Sequence, residues 1–530
     1  MMKALQRAAK FMSDHTAAVV IAFAVVTFLF PAWMGWVNKA WFVDFATNKF
    51  TSQTVIIGII MIAMAIGNVW GGRAADKNSD PGNLYRRILL AAVWIAVIPL
   101  VGRYVILGVT YVVVRFISGN YLVWASFGAC LVLFVFPLML LGTVTPSLIK
   151  YATGNLTDNG KTVGTIEACG TVGSILGTFL PTFITIPNFG TAVTFYIFAA
   201  ILALLAFLYF LSAGKGAVKG GIAAGAIIAL LFVPFDYSFA FWEKDLVYED
   251  ESIYNYLRVR EDSESVILST NVLEGVQSIY RKSGGLTGMY YDYALAAPLM
   301  ADTGNEEPHL LILGMGTGTY AKQCRSYFPE IVSEGVEIDQ KIVDLSRKYF
   351  DLPEDISVEV GDGRAYLRTA GTYDVIMVDA YQDITIPFHM STTEFFEMVN
   401  EHLCPGGVMV VNMNMMTDQE GGINDYLIDT ICSVFPDVAT VTVGNNTNQE
   451  LFASAEPGLA ERLAGKISQM DEDDPLKYQM ETVQKKLVQE KGGNYILTDD
   501  KAPVEILGMQ ALDSLISNTL EAYGGIENLL

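Results

Sequence analysis

Hydrophobic and polar positions follow two different rhythms along this chain. From Thr16 to Val37 the apolar residues are almost continuous, a run long enough to cross a hydrocarbon core of about 30 Å. It is too long for a signal-peptide core, and no small-residue cleavage site follows it cleanly. Further apolar runs lie at about 54–71, 88–114, 117–142, 163–187, 191–212 and 218–235. They predict six to seven membrane spans, the last of which is short and Gly-rich and suits a re-entrant or interfacial segment. Beyond residue 235 the apolar runs become short and are bounded by turn residues. Leu310–Leu313 reads as a buried parallel strand, Ser357–Val360 and Tyr373–Val378 as further strands, Val408–Val411 as another apolar run, and a helix is predicted over Thr319–Tyr327.

Charge sharpens the division. Residues 1–235 hold 15 Lys+Arg against 6 Asp+Glu, and the rest of the chain holds 19 against 50, which together make the net −22. A weakly basic apolar half joined to a strongly acidic one predicts a membrane domain carrying a water-facing domain. The acidic half lacks the clustered cations that nucleic-acid phosphates need, and its field suits a cationic substrate. Cys130, Cys169, Cys324, Cys404 and Cys432 form no CxxC pair, and the four histidines are dispersed, so no metal site is expected.

Lys3, Arg7 and Lys10 precede the first run, and Arg73, Lys77, Arg86 and Arg87 separate the second from the third. Lys150 and Lys161 follow the fourth, Lys215 and Lys219 the sixth. The positive-inside rule assigns all of these to one cytoplasmic side. Seven full crossings would then put the acidic domain outside, so the last run is read as incomplete and that domain as cytoplasmic. Glu167, Arg103 and Arg115 interrupt the apolar runs; an intramembrane charge is functional unless paired, and a structural Glu167–Arg103 pair is the alternative.

The chemistry is carried by strand ends. Gly314-Met315-Gly316-Thr317-Gly318 joins the first strand to its helix, where glycines let backbone approach a ligand. Glu337 stands about twenty residues on, in Val336-Glu337-Ile338-Asp339, where an acid accepts from ribose hydroxyls. Gly361-Asp362-Gly363 follows the third strand, placing an acid for an adenine edge, and Asp379 ends the fourth. Ligands in open α/β sheets bind at these carboxyl ends. A nicotinamide dinucleotide is the competing ligand, but Thr319 stands where its motif needs a third glycine.

From Leu246 to about Leu507 the chain resembles the spermidine synthase family, the aminopropyltransferases. The similar segments are Glu251–Val259, Leu273–Ser278, Tyr290–Tyr293 with Pro298, the strand ends above, and Leu497–Glu505. Membrane-fused members of that family resemble the whole architecture. The resemblance implies a helical multi-span membrane domain over 1–235, a small β-rich part over 236–300, and a Rossmann-like, methyltransferase-type α/β catalytic domain over 301–530. It implies a multi-pass protein of the plasma membrane that takes S-adenosylmethionine or its decarboxylated form as group donor, an amine or polyamine as acceptor, and a second copy as a further partner. Asp379 and Asp383 are then the catalytic acids, and Gly314, Gly316, Thr317, Gly318, Glu337, Asp362, Gly363 and Gln277 hold the donor. Tyr254, Tyr291 and Asp292 hold the acceptor.

Departures from the family pattern bear on the reaction. Thr317 replaces an Asp that helps hold the donor's terminal amine, and the catalytic loop reads Asp379-Ala380-Tyr381-Gln382-Asp383 in place of Asp-Ser-x-Asp. Methyl transfer or cyclisation of intact S-adenosylmethionine therefore stays open beside aminopropyl transfer, as does a transporter-like protein that binds the nucleoside without chemistry. Thr498-Asp499-Asp500 reads as a brace, and Cys324, His389 and His402 as packing residues.

Overall fold

A computed structural model describes residues 52–522, apart from 79, 118, 153–158, 215, 233–237, 239–242, 244, 271–275, 381–385, 415–419 and 445–447. The chain forms two compact units, residues 1–237 with 520–530, and residues 238–519. The run expected over Thr16–Val37 lies outside the described residues.

In the first unit the described helices are α1 (Ser52–Lys77), α2 (Gly82–Phe116), α3 (Tyr121–Gly142), α4 (Val144–Ala152), α5 (Asn159–Leu180), α6 (Ile186–Ala213) and α7 (Ala217–Leu230). Four helical stretches among them are long and apolar enough to cross a membrane: Ile57–Lys77, Gly82–Phe116, Tyr121–Ala152 and Gly160–Ala213. The last holds both runs predicted at 163–187 and 191–212. Gly190, whose φ of 78° no helix contains, separates them, and a π-turn over Pro181–Thr185 interrupts the first. The run predicted at 218–235 becomes α7, whose 14 residues rise about 21 Å, less than a bilayer core.

Small residues set the packing of α1 on α3. A Cβ at Gly67 would stand 2.3 Å from the Met139 carbonyl oxygen, and one at Gly142 2.7 Å from that of Met64, so the backbones touch as small-residue membrane interfaces allow. Lys150 pairs with Asp76 at 2.8 Å, which puts the ends of α1 and α4 on the same side of the helices, as their basic flanks predict. Glu167 is exposed and forms no ion pair among the described residues, so the alternative Glu167–Arg103 pair is not formed. The Arg103 guanidinium instead donates to Tyr104 Oη at 3.1 Å.

The second unit opens with a four-stranded antiparallel meander, β1 (Leu246–Glu251), β2 (Tyr256–Glu261), β3 (Ser265–Ser269) and β4 (Ser278–Arg281). Alternation puts Leu257, Val259, Val266 and Leu268 on one face, where they are buried together with Ile342, Leu345 and Phe350. Two short helices follow, α8 (Tyr291–Ala294) and α9 (Ala296–Met300). Then β5 (His309–Leu313), α10 (Thr319–Tyr327), β6 (Val332–Glu337), α11 (Gln340–Tyr349), β7 (Ser357–Val360), α12 (Gly363–Leu367), β8 (Tyr373–Val378), α13 (Thr393–Glu401) and β9 (Leu403–Met413) alternate. The chain ends on α14 (Ile423–Cys432), β10 (Asp437–Thr442), β11 (Gln449–Ser454), α15 (Leu459–Ile467), α16 (Pro475–Lys486), β12 (Val488–Gln489) and α17 (Val504–Ala522).

These strands make an eight-stranded sheet in the order β12-β10-β11-β9-β8-β5-β6-β7, parallel from β9 to β7 and antiparallel beyond. Its inner strands β5 and β9 are apolar on both faces because helices cover both: Leu310, Ile312, Val408 and Val410 enter one core, Leu311, Leu313, Met409 and Val411 the other. The chain runs outward in one direction from β5 to β7 and returns to β8 on the other side. The switch point therefore lies between β5 and β8, where such sheets leave a crevice for ligand.

Candidate active site

The two strands that flank this switch carry the glycine loop and Asp379. Gly314 has φ 90°, and a Cβ there would stand 2.4 Å from the Asp379 carbonyl oxygen, so only glycine lets the two strand ends come so close. Gly316 donates its N–H to Glu337 Oε2 at 2.8 Å, and the Asp339 N–H reaches Glu337 Oε1 at 3.1 Å. The acid at the end of β6 is thus locked against the loop. Asp339 caps α11, and the Ser252 hydroxyl and Asn255 amide of the β1–β2 turn both donate to its carboxylate. That turn brings Tyr254 and Asn255 over the sheet's carboxyl edge.

A single cavity collects these groups: Tyr254, Gln277, Tyr291, Gly314, Gly316, Glu337, Asp362, Gly363 and Asp379 all line it. The sequence singled out each of them. Asp362 caps α12 through the Ala365 N–H at 2.7 Å and faces His389 Nε2 at 2.9 Å. Tyr291 donates its hydroxyl to the Gln277 carbonyl at 2.8 Å, which ties α8 to the start of β4.

Asp379 is the most constrained group. Its Oδ2 accepts from Tyr290 at 2.6 Å and its Oδ1 from the Asn412 amide at 2.9 Å; Asn412 Oδ1 accepts in turn from Asn448 at 2.9 Å. Burial pushes its carboxyl up to about 7, the Tyr290 and Asn412 bonds pull it back, and the charge of Glu337 adds to the rise. Burial likewise carries Glu337 up to about 7 against the backbone N–H groups of Asp339 and Gly316. An acid poised near neutrality beside a cleft is equipped to take a proton at physiological pH.

Other expectations are corrected. Asp292 does not reach the cavity: its carboxylate accepts from Thr287 N and Oγ1 and Gln323 Nε2 through Oδ1, and from Gly288 N through Oδ2. It is spent on fixing the turn before α8. Thr317 is fully buried behind the loop, where its N–H meets Ser278 Oγ at 3.3 Å and its hydroxyl has no partner among the described residues. Gly318, with φ 78°, packs on Leu352 and starts α10 and is likewise no part of the lining. Asp383 lies outside the described residues. His389, read as packing, lines the cavity instead, because the turn Phe388–Met390 brings it back to Asp362. Asp499 is the expected brace, binding Arg364 through both oxygens at 2.7 Å and Thr392 at 2.7 Å. Tyr290, Asn412 and Asn448 went unnoticed in the sequence; only the adjacent Tyr290-Tyr291 pair gave a signal.

With the geometry in place, similarities to known proteins acquire meaning. Residues 289–447 match the Spermine/spermidine synthase domain. A probable polyamine aminopropyl transferase of Bifidobacterium longum is 52% identical over 334 residues, 60% of this chain and 74% of that protein. A polyamine aminopropyltransferase of Vibrio vulnificus is 27% identical over 241 residues, 43% of this chain and 77% of that one. A solved structure of a probable spermidine synthase from Corynebacterium glutamicum aligns with 47% of this chain and 98% of its own, at 20% identity and a TM-score of 0.36.

Proposed function

Because this chain belongs to the spermidine synthase (polyamine aminopropyltransferase) family, we propose that it transfers an aminopropyl group from decarboxylated S-adenosylmethionine to a primary amine and releases methylthioadenosine. At the coarser level it is a membrane-associated, spermidine-synthase-like transferase with a donor of the S-adenosylmethionine class. The observation that supports the finer reading is Asp379, a half-buried acid on the wall of the cavity that Glu337 and the glycine loop frame, its carboxyl pushed up to about 7 by desolvation.

In this reading Glu337 accepts from the ribose hydroxyls, and Asp362 with His389 meets the adenine edge. Tyr254, Tyr291 and Gln277 border the alkyl and amine chains, whose cations favour aromatic faces. The acceptor attacks as a neutral amine. Its nitrogen forms a bond to the carbon next to sulfur, the C–S bond breaks, and the electron pair neutralises the sulfonium. The new ammonium passes its proton to the Asp379 carboxylate, which Tyr290 and Asn412 hold in place. Asp383 is a second acid of the same loop. The catalytic domain faces the cytoplasm, where its donor is made; protease digestion of inverted against right-side-out vesicles tests that.

A second reading, methyl transfer or cyclisation of intact S-adenosylmethionine, is favoured by the neutral loop residues Gly314, Met315 and Gly316 on the cavity wall, which present no anion to repel a carboxylate. Mass spectrometry of the full chain incubated with each donor and a panel of amines separates the two. Methylthioadenosine plus an aminopropylated amine supports the first reading. S-adenosylhomocysteine with a methylated amine, or a cyclised donor, supports the second. No turnover of either donor refutes both.

A further inference from the structure

Glu450 has no part in the chemistry above, yet it lies close to it. On β11 it pairs across the antiparallel ladder with Asn412 of β9, the residue whose amide holds Asp379. Facing residues of an antiparallel pair send their side chains to the same side of the sheet. That side is the one covered by Tyr290 and Tyr291, since Val410 and Phe452, two positions along each strand, are buried with them. Glu450 is 0% exposed, and among the described residues neither Oε1 nor Oε2 has a hydrogen-bond partner.

An unpaired ionised carboxylate in the interior costs several kcal/mol, and a neutral one still forfeits its hydrogen bonds. The fold could have placed an apolar residue there, as it does at the next facing pair, Val410 and Phe452. Burial, and then the charge of Asp379, push its carboxyl well above the usual range, and it in turn pushes up the hydroxyls of Tyr291 and Tyr320. Asp379 from β8, Tyr291 from α8 and Tyr320 from α10 are thus the titratable groups that sense it. All of them are acids, and no cation among the described residues is supplied.

We propose that Glu450 is the counter-ion for a primary ammonium group of the ligand, received behind Tyr291 and Asp379. An ammonium has three N–H donors, enough to satisfy both bare oxygens. The inference rests on the transferase reading, because it requires an amine-bearing ligand. In the empty protein the carboxyl keeps its proton; on binding, the ammonium stays charged, the carboxyl ionises against it, and one proton passes to solvent. The ammonium belongs either to the aminopropyl tail of the donor or to the far end of a diamine acceptor.

Calorimetry of the full chain in detergent, in buffers of different ionisation enthalpy at pH 7, tests this. The probes are methylthioadenosine, decarboxylated S-adenosylmethionine, and, with methylthioadenosine bound, 1,4-diaminobutane and 1-aminobutane. Glu450→Gln should weaken the ligand that Glu450 holds by tenfold or more and abolish its proton release, while methylthioadenosine binds as before. Loss for the decarboxylated donor assigns the tail; loss for diaminobutane with aminobutane unchanged assigns the acceptor. Glu450→Met should show the same binding loss in a protein that melts no lower than wild type, which separates recognition from folding. Unchanged binding of both ammonium ligands, or a parallel loss for methylthioadenosine, overturns the inference. Wild type that binds methylthioadenosine but releases no proton with either ammonium ligand sinks the inference alone. Wild type that binds none of the four sinks the transferase reading and the inference with it.

Discussion

Replacing Asp379 by Asn keeps the side chain's shape and removes its ability to take a proton. In wild type the carboxylate accepts from Tyr290 at 2.6 Å and from the Asn412 amide at 2.9 Å. The variant has one acceptor and one donor where there were two acceptors. With its oxygen on Tyr290, its NH2 confronts that of Asn412, and Asn412 cannot turn without losing Asn448. One frustrated buried hydrogen bond costs about 1–3 kcal/mol of stability. The catalytic effect is larger: a positioned general base contributes 10²–10⁴-fold, so kcat should fall by about that factor, roughly 3–5 kcal/mol of barrier. Methylthioadenosine affinity should change little, because Glu337 and the glycine loop are untouched. With the carboxyl pushed up to about 7, wild-type kcat at saturating donor and acceptor should rise about tenfold per pH unit below roughly pH 6 and flatten above 7, as the carboxylate form fills. The variant should lose that limb of the profile. The assay is product formation by mass spectrometry from pH 5 to 9, with melting temperature and methylthioadenosine affinity measured in parallel. A variant that keeps the wild-type rate and profile would refute the reasoning and move the base to another acid, Asp383 first.

Glu337→Gln should weaken either donor by at least about 1.5 kcal/mol in calorimetry, the contribution of a charged hydrogen bond; unchanged affinity would remove Glu337 from the site. Gly314→Ala forces a Cβ to 2.4 Å from the Asp379 carbonyl at a φ of 90°, so it should lower the melting temperature and abolish nucleoside binding together. A normal melt with normal binding would show that the strand ends part without consequence. Thr317→Asp buries a carboxylate at a position that is 0% exposed, so it should lower the melting temperature and leave the ratio of the two donors' dissociation constants unchanged. A shift of that ratio by about tenfold towards the decarboxylated donor, one charged contact, would show that position 317 reaches the donor after all. Since burial raises Glu337 and Asp379 to about 7, both favour the fold while protonated and stop doing so as pH climbs from about 4 through 7. The melting temperature of Glu337→Gln should therefore fall less between pH 5 and 8 than that of wild type, and an equal fall would contradict the raised pKa.

Much of this protein is written in local pattern. Apolar runs longer than a bilayer core permit few structures, so the membrane half could be read without knowing how its helices pack. The strand Tyr373–Val378 is legible because a parallel strand covered on both faces is mostly apolar and stops where its turn begins, whereas the exposed edge strand Ser357–Val360 is marked only by its β-branched residues and the Gly361-Asp362-Gly363 turn after it. Gly314, Glu337, Asp362 and Asp379 could be assigned to one site because an open α/β sheet delivers the ends of consecutive strands to one edge, whatever its packing details. What the sequence could not decide is which side chains meet from distant segments. Asp292 looked like a ligand until the turn at 287–288 closed on it, and His389 looked inert until the Phe388–Met390 turn returned it to Asp362. Asn412, Asn448 and Glu450 come from the antiparallel end of the sheet, where ladder register alone sets which residue faces Asp379. A shift of one residue in the pairing of β11 with β9 would turn Asn448 and Glu450 to the face opposite Asn412. Strand identity is a property of a few neighbouring residues, but register and burial depend on the whole sheet, and they decide whether a carboxylate is a brace, a base or a buried acid without a partner.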